Sequence, residues 1–447
     1  MSSLPPTPAE HLRVTALASD GDGIARLASG RVVFVEGAVP GDLVELGPIR
    51  EHKRLLRAKV ARIVEASPDR VEPRCAHFGQ CGGCVWQHVR YEAQLEAKRV
   101  NVRAALERIG GLRLEREVEI VASPDAYHYR ARTRVVGVPG GVGYRRRGSN
   151  EVLRVEECPV LAPAVQETLS SWSKIVALAL SSASARDRLE TREPQEWVIT
   201  AGTNGSTRVE RPNIASAPPA AEEIERSNGA IVLEVLGERL RVGGPGFVQG
   251  NALLWDALAR EVRDRCLLPV AGRAPRRFVE LYAGIGFFTL PLARTGLTGI
   301  AVESDRQAVT DLVANLAFAG LSGSVDAITA TVESRRELSD WLANADLLLV
   351  DPPRIGLDGR VCEAIAKAGP PVVVYVSCDP ATLARDLKVL TAHAYRLVSV
   401  LAFDLFPQTP HVETVVRLER SGTLRAGRGR ECFGARSQGS IRPWRSA

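Results

Sequence analysis

Apolar and polar positions alternate in short runs near the start of the chain and fall into a longer rhythm towards its end. Between residues 11 and 65, three brief runs alternate apolar with polar residues: Arg31-Val-Val-Phe-Val-Glu-Gly, Pro40-Gly-Asp-Leu-Val-Glu-Leu and Ala58-Lys-Val-Ala-Arg-Ile-Val. Glycine-containing turns, beginning with Asp20-Gly-Asp-Gly-Ile-Ala-Arg, separate them. Short half-buried strands at this spacing predict a small closed barrel over residues 1–65. Residues 66–245 are less regular; a helix is expected over 163–181 and a hairpin turning at Asn204-Gly205, with the polar stretch 183–228 as loops around it. From residue 246 the pattern becomes strand, helix, strand. Strands are expected at 277–282, 298–303, 325–330, 346–351 and 371–377, followed by closing strands at 395–403 and 411–419. That alternation predicts an α/β domain over 246–420 with a doubly wound, Rossmann-like parallel sheet, binding ligands at the carboxyl ends of its strands. Residues 421–447 are rich in Arg, Gly and Ser and are expected to be a disordered basic tail.

Composition narrows the class. The chain has 447 residues, 45% hydrophobic and 25% charged, which excludes a wholly disordered chain, a collagen or a coiled coil. No apolar run approaches the ~18 residues of a membrane span. The start, Met1-Ser-Ser-Leu-Pro-Pro-Thr-Pro, lacks the basic and apolar regions of a signal peptide, so the cytoplasm is the expected compartment. The net charge is +6, but residues 421–447 contribute six Arg against one Glu, leaving the rest almost neutral. A nucleic-acid reading therefore rests on local clusters. Residues 50–62 hold six Lys/Arg against one Glu, and residues 127–147 hold six Arg and no acid, interleaved with Tyr127, Tyr129 and Tyr144. Arginine forks onto phosphate and a tyrosine ring can stack on an unpaired base, so both clusters are candidate RNA or DNA contacts.

The eight cysteines do not suggest disulfides in this compartment. Cys75, Cys81 and Cys84 form C-x5-C-G-G-C, and Gly82-Gly83 permit the tight backbone that brings thiolates together. Cys158, in Glu157-Cys-Pro-Val, is the remaining cysteine of the middle region. Four thiolates suit zinc or an iron–sulfur cluster, and three clustered cysteines plus a remote Cys-Pro favour the cluster over zinc's paired spacing. Cys266 and Cys362 fall within helical patterns and read as small core residues.

The last third carries the chemistry. Glu280-Leu-Tyr-Ala-Gly-Ile-Gly-Phe-Phe-Thr-Leu joins a strand to a helix where a nucleotide would sit, and Glu303, ending the next strand, could accept bonds from ribose hydroxyls. These features fit S-adenosylmethionine or a dinucleotide equally. Leu347-Leu-Leu-Val-Asp351-Pro-Pro-Arg354 puts a carboxylate and an arginine at the ligand edge. Val372-Val-Val-Tyr-Val-Ser-Cys378-Asp379-Pro380 puts a thiol beside them, before a helix whose amides are expected to lower its pKa. His411-Val-Glu413 adds a second carboxylate.

Taken together, these segments resemble the bacterial RNA uracil-5-methyltransferase family, nearest its iron–sulfur branch acting on 23S ribosomal RNA. The resemblance runs from about residue 11 to 420. It is carried by the Gly-Asp-Gly-Ile-Ala-Arg and Pro-Gly-Asp segments, similar to an OB-like, RNA-binding TRAM domain, and by the cysteine cluster. Phe247-Val-Gln-Gly-Asn251, Asp351-Pro-Pro-Arg, Ser377-Cys-Asp-Pro-Ala-Thr-Leu-Ala-Arg-Asp386 and His411-Val-Glu complete it. It implies a 4Fe-4S cluster on Cys75, Cys81, Cys84 and Cys158 and cofactor contacts from Gln249, Tyr282, Glu303 and Asp351. It implies Cys378 as nucleophile, Glu413 as base, and a central domain over 66–245 holding the cluster and the RNA-binding surface. The implied partner is RNA, with 23S rRNA favoured and tRNA open; no membrane or obligate protein partner is indicated.

Those residue types suit the implied reaction. A thiolate adding to carbon 6 makes carbon 5 of uracil electron-rich, and a carboxylate can then remove the carbon 5 proton. The base must be swung out of its stack to be reached. Phe287 stands where the family usually has Asn or Thr, and Thr331 where Asp or Asn usually meets the adenine, which puts cofactor affinity in question. Two alternatives stay open: the same reaction on the tRNA T-loop, and an inactive RNA-binding iron–sulfur protein. Cytosine methylation is disfavoured, because Asp-Pro-Pro-Arg replaces the Pro-Cys motif of that chemistry.

Overall fold

The alternating runs near the start of the chain become seven short strands, β1 (His11–Arg13), β2 (Ala16–Leu17), β3 (Gly23–Arg26), β4 (Val32–Glu36), β5 (Leu43–Leu46), β6 (Arg50–His52) and β7 (Leu55–Glu65). They pair in the order β1-β5-β7-β4-β3-β2, with β6 on β7. β1 and β2 are consecutive pieces of one bent stretch that border opposite ends of this order, so the sheet closes as a barrel. The Val14 amide donates to Asp42 O and the Thr15 amide to Ile24 O across the bend. Val33 and Val35 of β4 point inward with Leu12, Ala25, Val44 and Leu56, which is the two-residue period seen along the chain. The computed structural model describes residues 11–52, 55–179, 195–211, 231–244, 246–334 and 337–421. The basic tail, Cys432 and most of the polar 183–228 stretch lie outside them.

The middle of the chain is more ordered than its pattern suggests. It holds α1 (Tyr91–Arg108), β8 (Glu119–Val121), β9 (Arg132–Val138), β10 (Gly141–Arg145), β11 (Val152–Arg154), α2 (Pro163–Ala179), β12 (Glu196–Ala201), β13 (Thr207–Glu210), β14 (Ile231–Val235) and β15 (Glu238–Val242). An antiparallel sheet runs β11-β10-β9-β12-β13, and β14-β15 form a separate ribbon. The expected hairpin is β12-β13, with Gly205 at φ +78° in its turn. Helix α2 packs on this sheet through Val165, Leu169, Trp172 and Val176, and Trp172 meets Trp197 edge-on at 5.6 Å. Helix α1 was not expected. Its buried stripe is Gln94, Lys98, Val102 and Leu106, a helical spacing whose first two members are polar and so carry no hydrophobic signal.

The last third contains α3 (Trp255–Leu267), β16 (Arg277–Leu281), α4 (Thr289–Ala293), β17 (Thr298–Glu303), α5 (Arg306–Phe318), β18 (Val325–Thr329), α6 (Leu338–Ala343), β19 (Leu347–Val350), α7 (Gly359–Ala368), β20 (Val372–Ser377), α8 (Pro380–His393), β21 (Tyr395–Phe403) and β22 (Glu413–Arg420). The sheet order is β18-β17-β16-β19-β20-β22-β21-β8. The first five strands are parallel and β22 is antiparallel to both its neighbours. The eighth strand, β8, comes from the middle of the chain and runs parallel to β21. Leu347 and Leu349 enter one core layer while Leu348 and Val350 enter the other, and β20 divides its valines and Tyr375 in the same way. Both faces are covered, which is why these strands read as unbroken apolar runs. Asp305, Asp358 and Asp379 cap α5, α7 and α8 with their side chains, starting each helix at the ligand edge of the sheet. Among the described residues, no helix is long and apolar enough to cross a membrane.

Candidate functional site

The strand ends converge as the topology requires. After β16, Tyr282 adopts φ +64° and the chain turns through Gly284 and Gly286, at φ +56° and +97°. The carboxylate of Glu303, at the end of β17, locks this turn: Oε2 accepts the Gly284 amide at 3.0 Å, while Oε1 accepts those of Ser304 and Asp305 at 2.6 and 2.8 Å. The Tyr282 hydroxyl donates to Glu333 Oε1 at 3.0 Å. Asp351 follows β19, and its Oδ2 lies 3.5 Å from Nε2 of the buried Gln249. Oε1 of Gln249 is buried with no partner among the described residues, a polar atom left for something else to satisfy. Four of the expected site residues therefore stand at neighbouring strand ends or, for Gln249, against one of them.

β20 and β22 complete the edge. Their antiparallel register pairs Ser377 with Thr414, so Cys378 and Glu413 occupy the next position on the two strands. Glu413 is buried, and its Oε1 has no partner among the described residues. Burial pushes its carboxyl well above the ordinary range, reinforced by the charge of Asp351 and opposed by Arg354. Burial likewise raises Asp351 to about 7. The expected lowering of the Cys378 pKa does not occur. The amides of Ala381 and Thr382 at the start of α8 are taken by Asp379 at 2.9 and 3.0 Å. Burial, then the charges of Glu413 and Asp351, raise the thiol to about 12, with Arg354 opposing. The result is a half-buried thiol whose ionisation two nearby carboxylates oppose. Such a group can attack a polarised carbon when the local charge permits ionisation, with a carboxylate at hand to take a proton.

The four other expected residues come together elsewhere. Cys75, Cys81, Cys84 and Cys158 line one cavity of about 460 Å³, with Gln87, Arg130 and Tyr144. Burial is the leading cause that raises Cys81, holds Cys84 at about 11 and holds Cys158 at about 12; Arg130 opposes it at all three. A cation in the cavity would favour their thiolates. Among the described residues, no three His, Cys, Asp or Glu side chains gather closely enough for a single metal ion. Cys266 and Cys362 are buried core residues, as expected.

The basic stretches are arranged differently from expectation. Tyr129 is fully buried, with its hydroxyl on Pro407 O at 2.9 Å, and Tyr127 is buried beneath the Arg74 guanidinium. The Tyr144 hydroxyl bonds Thr133 at 2.9 Å inside the sheet's cover. These rings serve packing and are not free platforms for bases. Arg145, Arg146 and Arg147 are tied to Glu196, Gln80 and Asp22, and their backbone pairs with the cysteine loop through Gly82 and Gln80. In the first stretch Arg57 pairs with Asp20 and Asp22, Lys59 with Glu36, and Arg62 with Glu45. Phe287 lies in the core edge-on to Phe288, and Thr331 is exposed. Gln87, whose Oε1 accepts the Cys75 amide at 3.1 Å, and the buried Lys98, Gln94 and Gln408 escaped the sequence reading. A buried polar side chain has no periodic signature; only its partner reveals it.

Residues 246–421 match the family model of tRNA (uracil-5-)-methyltransferase, and residues 11–60 that of the TRAM domain. An uncharacterized RNA methyltransferase from Gloeobacter violaceus is 35% identical over 91% of this chain and 96% of its own. The 23S rRNA (uracil(1939)-C(5))-methyltransferase of Shewanella woodyi is 31% identical over 92% of this chain and 96% of its own. The crystal structure of Pyrococcus abyssi tRNA (uracil-54, C5)-methyltransferase with S-adenosyl-L-homocysteine superposes with a TM-score of 0.67 at 24% identity. It covers 92% of this chain and all of the other, a likeness of fold.

Proposed function

The chain belongs to the RNA uracil-5-methyltransferase family, and on that premise we propose that it methylates carbon 5 of a uridine in 23S ribosomal RNA. The observation that carries this is that Cys378 and Glu413 each stand one residue beyond the Ser377–Thr414 pair of the antiparallel β20 and β22, with Asp351 and Gln249 at the same edge. The substrate follows the name of the Shewanella woodyi relative. S-adenosylmethionine, when bound, supplies an electrophilic methyl group. Gln249, Tyr282, Glu303 and Asp351 would hold it; the unpartnered Gln249 oxygen and the remaining lone pair of Glu303 Oε2 would suit its amino and hydroxyl groups. Cys378 adds to carbon 6 of the flipped uracil, and the ring's π electrons move towards carbon 5 and the carbonyl oxygen. Once carbon 5 carries the methyl group, Glu413 takes its proton, the carbon 5–carbon 6 double bond re-forms and Cys378 leaves. Burial suits Glu413 to that step, because a carboxylate of raised pKa is a stronger base.

Cys75, Cys81, Cys84 and Cys158 hold a 4Fe-4S cluster. Four thiols lining one roomy cavity would suit a cluster. Its role is structural, because Cys75 and Cys378 belong to different domains. The division of labour is a barrel over 1–65 and a central domain over 66–245 for RNA, and a methyltransferase domain over 246–420. Iron, sulfide and zinc analysis of anaerobically purified protein tests the cluster, and stoichiometric zinc without sulfide would overturn it.

Methyl transfer from labelled S-adenosylmethionine to unmodified total RNA tests the activity, with size fractionation before digestion to nucleosides. Label in 5-methyluridine of large ribosomal RNA supports the proposal. Label confined to transfer RNA would overturn the substrate, and no label from cluster-loaded protein would overturn the enzyme.

A further inference from the structure

The cysteine loop and the strand bearing Glu413 meet at one residue. Gln408 is buried at 3% exposure and adopts φ +68°, a left-handed conformation unusual for a side chain of its size. Its carbonyl accepts two amides at once, from Val85 at 3.1 Å and Trp86 at 3.0 Å, the two residues directly after Cys84. Its own amide donates to Gln94 Oε1 at 2.9 Å, and its Oε1 accepts from Gln94 Nε2 at 2.9 Å. Its Nε2 reaches Ala126 O at 3.3 Å. Trp86 in turn donates its indole N–H to Gly21 O in the barrel at 3.0 Å.

We infer that Gln408 is a positioning residue for the methyl-transfer reaction: it latches the Cys81–Cys84 loop to the chain that carries Glu413. Only Thr409, Pro410, His411 and Val412 separate the two residues. That connection has little slack: Thr409 Oγ1 bonds Phe406 O, the His411 ring packs edge-on to Phe406, and Val412 is buried. A shift of the Gln408 carbonyl therefore moves the start of β22. The cysteine loop supplies none of the site residues at the strand ends, and this carbonyl is the direct hydrogen-bond tie between the residues that follow it and the chain leading into β22. Gln94, which holds both the amide and the side chain of Gln408, sits on α1 and also donates to Trp86 O and Val89 O. The latch thus fixes the loop and the catalytic strand against the same helix.

The inference rests on the reading of Glu413 as the base, and the test separates the two. Gln408→Asn keeps a residue tolerant of positive φ but is too short to reach Gln94 and Ala126. Gln94→Ala leaves the Gln408 carbonyl in place but removes the side chain that braces both its amide and its side chain. Full-length proteins as purified are mixed with S-adenosylmethionine and substrate RNA, and the denaturant-resistant protein–RNA adduct is followed, with Glu413→Gln as reference. Slowed proton removal makes the adduct accumulate, which a general loss of stability does not. In parallel, iodoacetamide labelling of Cys84 and of the core Cys266 is read by mass spectrometry. Both latch variants are expected to accumulate adduct as turnover falls roughly ten- to a hundredfold, the scale of an ångström's misplacement. Cys84 labelling rises several-fold and Cys266 labelling stays unchanged. If Glu413→Gln accumulates adduct and the latch variants do not, or if Cys84 labelling is unaltered, the inference is overturned. If Glu413→Gln itself accumulates none, the reading of the base falls, and Cys84 labelling alone decides the latch.

Discussion

Lys98 and Asp404 form an ion pair 2.5 Å long in which neither side chain meets solvent. Lys98 lies on α1, Asp404 just after β21, and Lys98 Nζ also donates to Phe406 O at 3.0 Å. The pair fastens the helix after the cysteine loop to the turn before Glu413. A buried charge without its partner is costly, whereas a buried pair replaced whole is often neutral. Lys98→Ala is expected to destabilise the protein by about 3–5 kcal/mol. Lys98→Met with Asp404→Leu should lose less than either single change. Denaturant melts of Lys98→Ala, of Lys98→Met and Asp404→Leu singly, and of the double variant check this.

In the glycine turn after β16, Gly286 leaves no room for a side chain. At Gly286, φ +97°, a Cβ would come within 2.6 Å of Leu290 and 2.7 Å of Leu312, both core residues. Gly286→Ala is expected to cost on the order of 1–3 kcal/mol. It should also weaken S-adenosylmethionine binding, because the same turn is held to Glu303 through Gly284. Calorimetric titration of cofactor into the variant, with a thermal melt beside it, checks both.

Much of this was legible before the structure. The strands of the last third fell within a residue or two of expectation because buried parallel strands read as continuous apolar runs. Cys378, Asp351 and Glu413 stood out because each ends or begins such a run. The antiparallel sheet of the middle region and α1 were not legible, since Gln94 and Lys98 occupy core positions through hydrogen bonds. The expected tyrosine platforms failed for a related reason: residue type shows that a ring could stack, and only packing shows that Tyr129 is already enclosed.

The charge around Cys378 predicts a pH profile. Ionised Asp351 and Glu413 help hold the thiol at about 12, so removing one negative charge lowers it and enlarges the thiolate fraction at a given pH. Asp351→Asn should therefore be alkylated by iodoacetamide at Cys378 faster than the wild type at pH 8–9. The rate should grow roughly tenfold for every pH unit by which the thiol's pKa falls. In the wild type the rate should still be climbing at pH 10. Peptide-resolved mass spectrometry separates Cys378 from the other thiols.

Glu280 predicts a pH-dependent stability. It is buried with Thr289 Oγ1 donating to it at 2.7 Å, and burial lifts its carboxyl from 4.5 to about 8. Between those values the folded chain keeps a proton that the unfolded chain releases, so this residue's contribution to stability falls as pH rises from 4.5 to 8 and is level above. Glu280→Gln removes the dependence. The variant should match the wild type near pH 4.5 and exceed it at pH 8.5 by on the order of a few kcal/mol, read from melts across that range.

The covalent role of Cys378 is tested most directly by trapping. An RNA substrate with 5-fluorouridine at the target position has no carbon 5 proton to lose, so the adduct, once methylated at carbon 5, cannot eliminate the thiol and stays. With S-adenosylmethionine present, wild-type protein should form a denaturant-resistant complex whose RNA maps to the Cys378 peptide, and Cys378→Ala should form none. No complex with an RNA that is methylated when it carries ordinary uridine, or a complex mapped to another residue, would contradict the account.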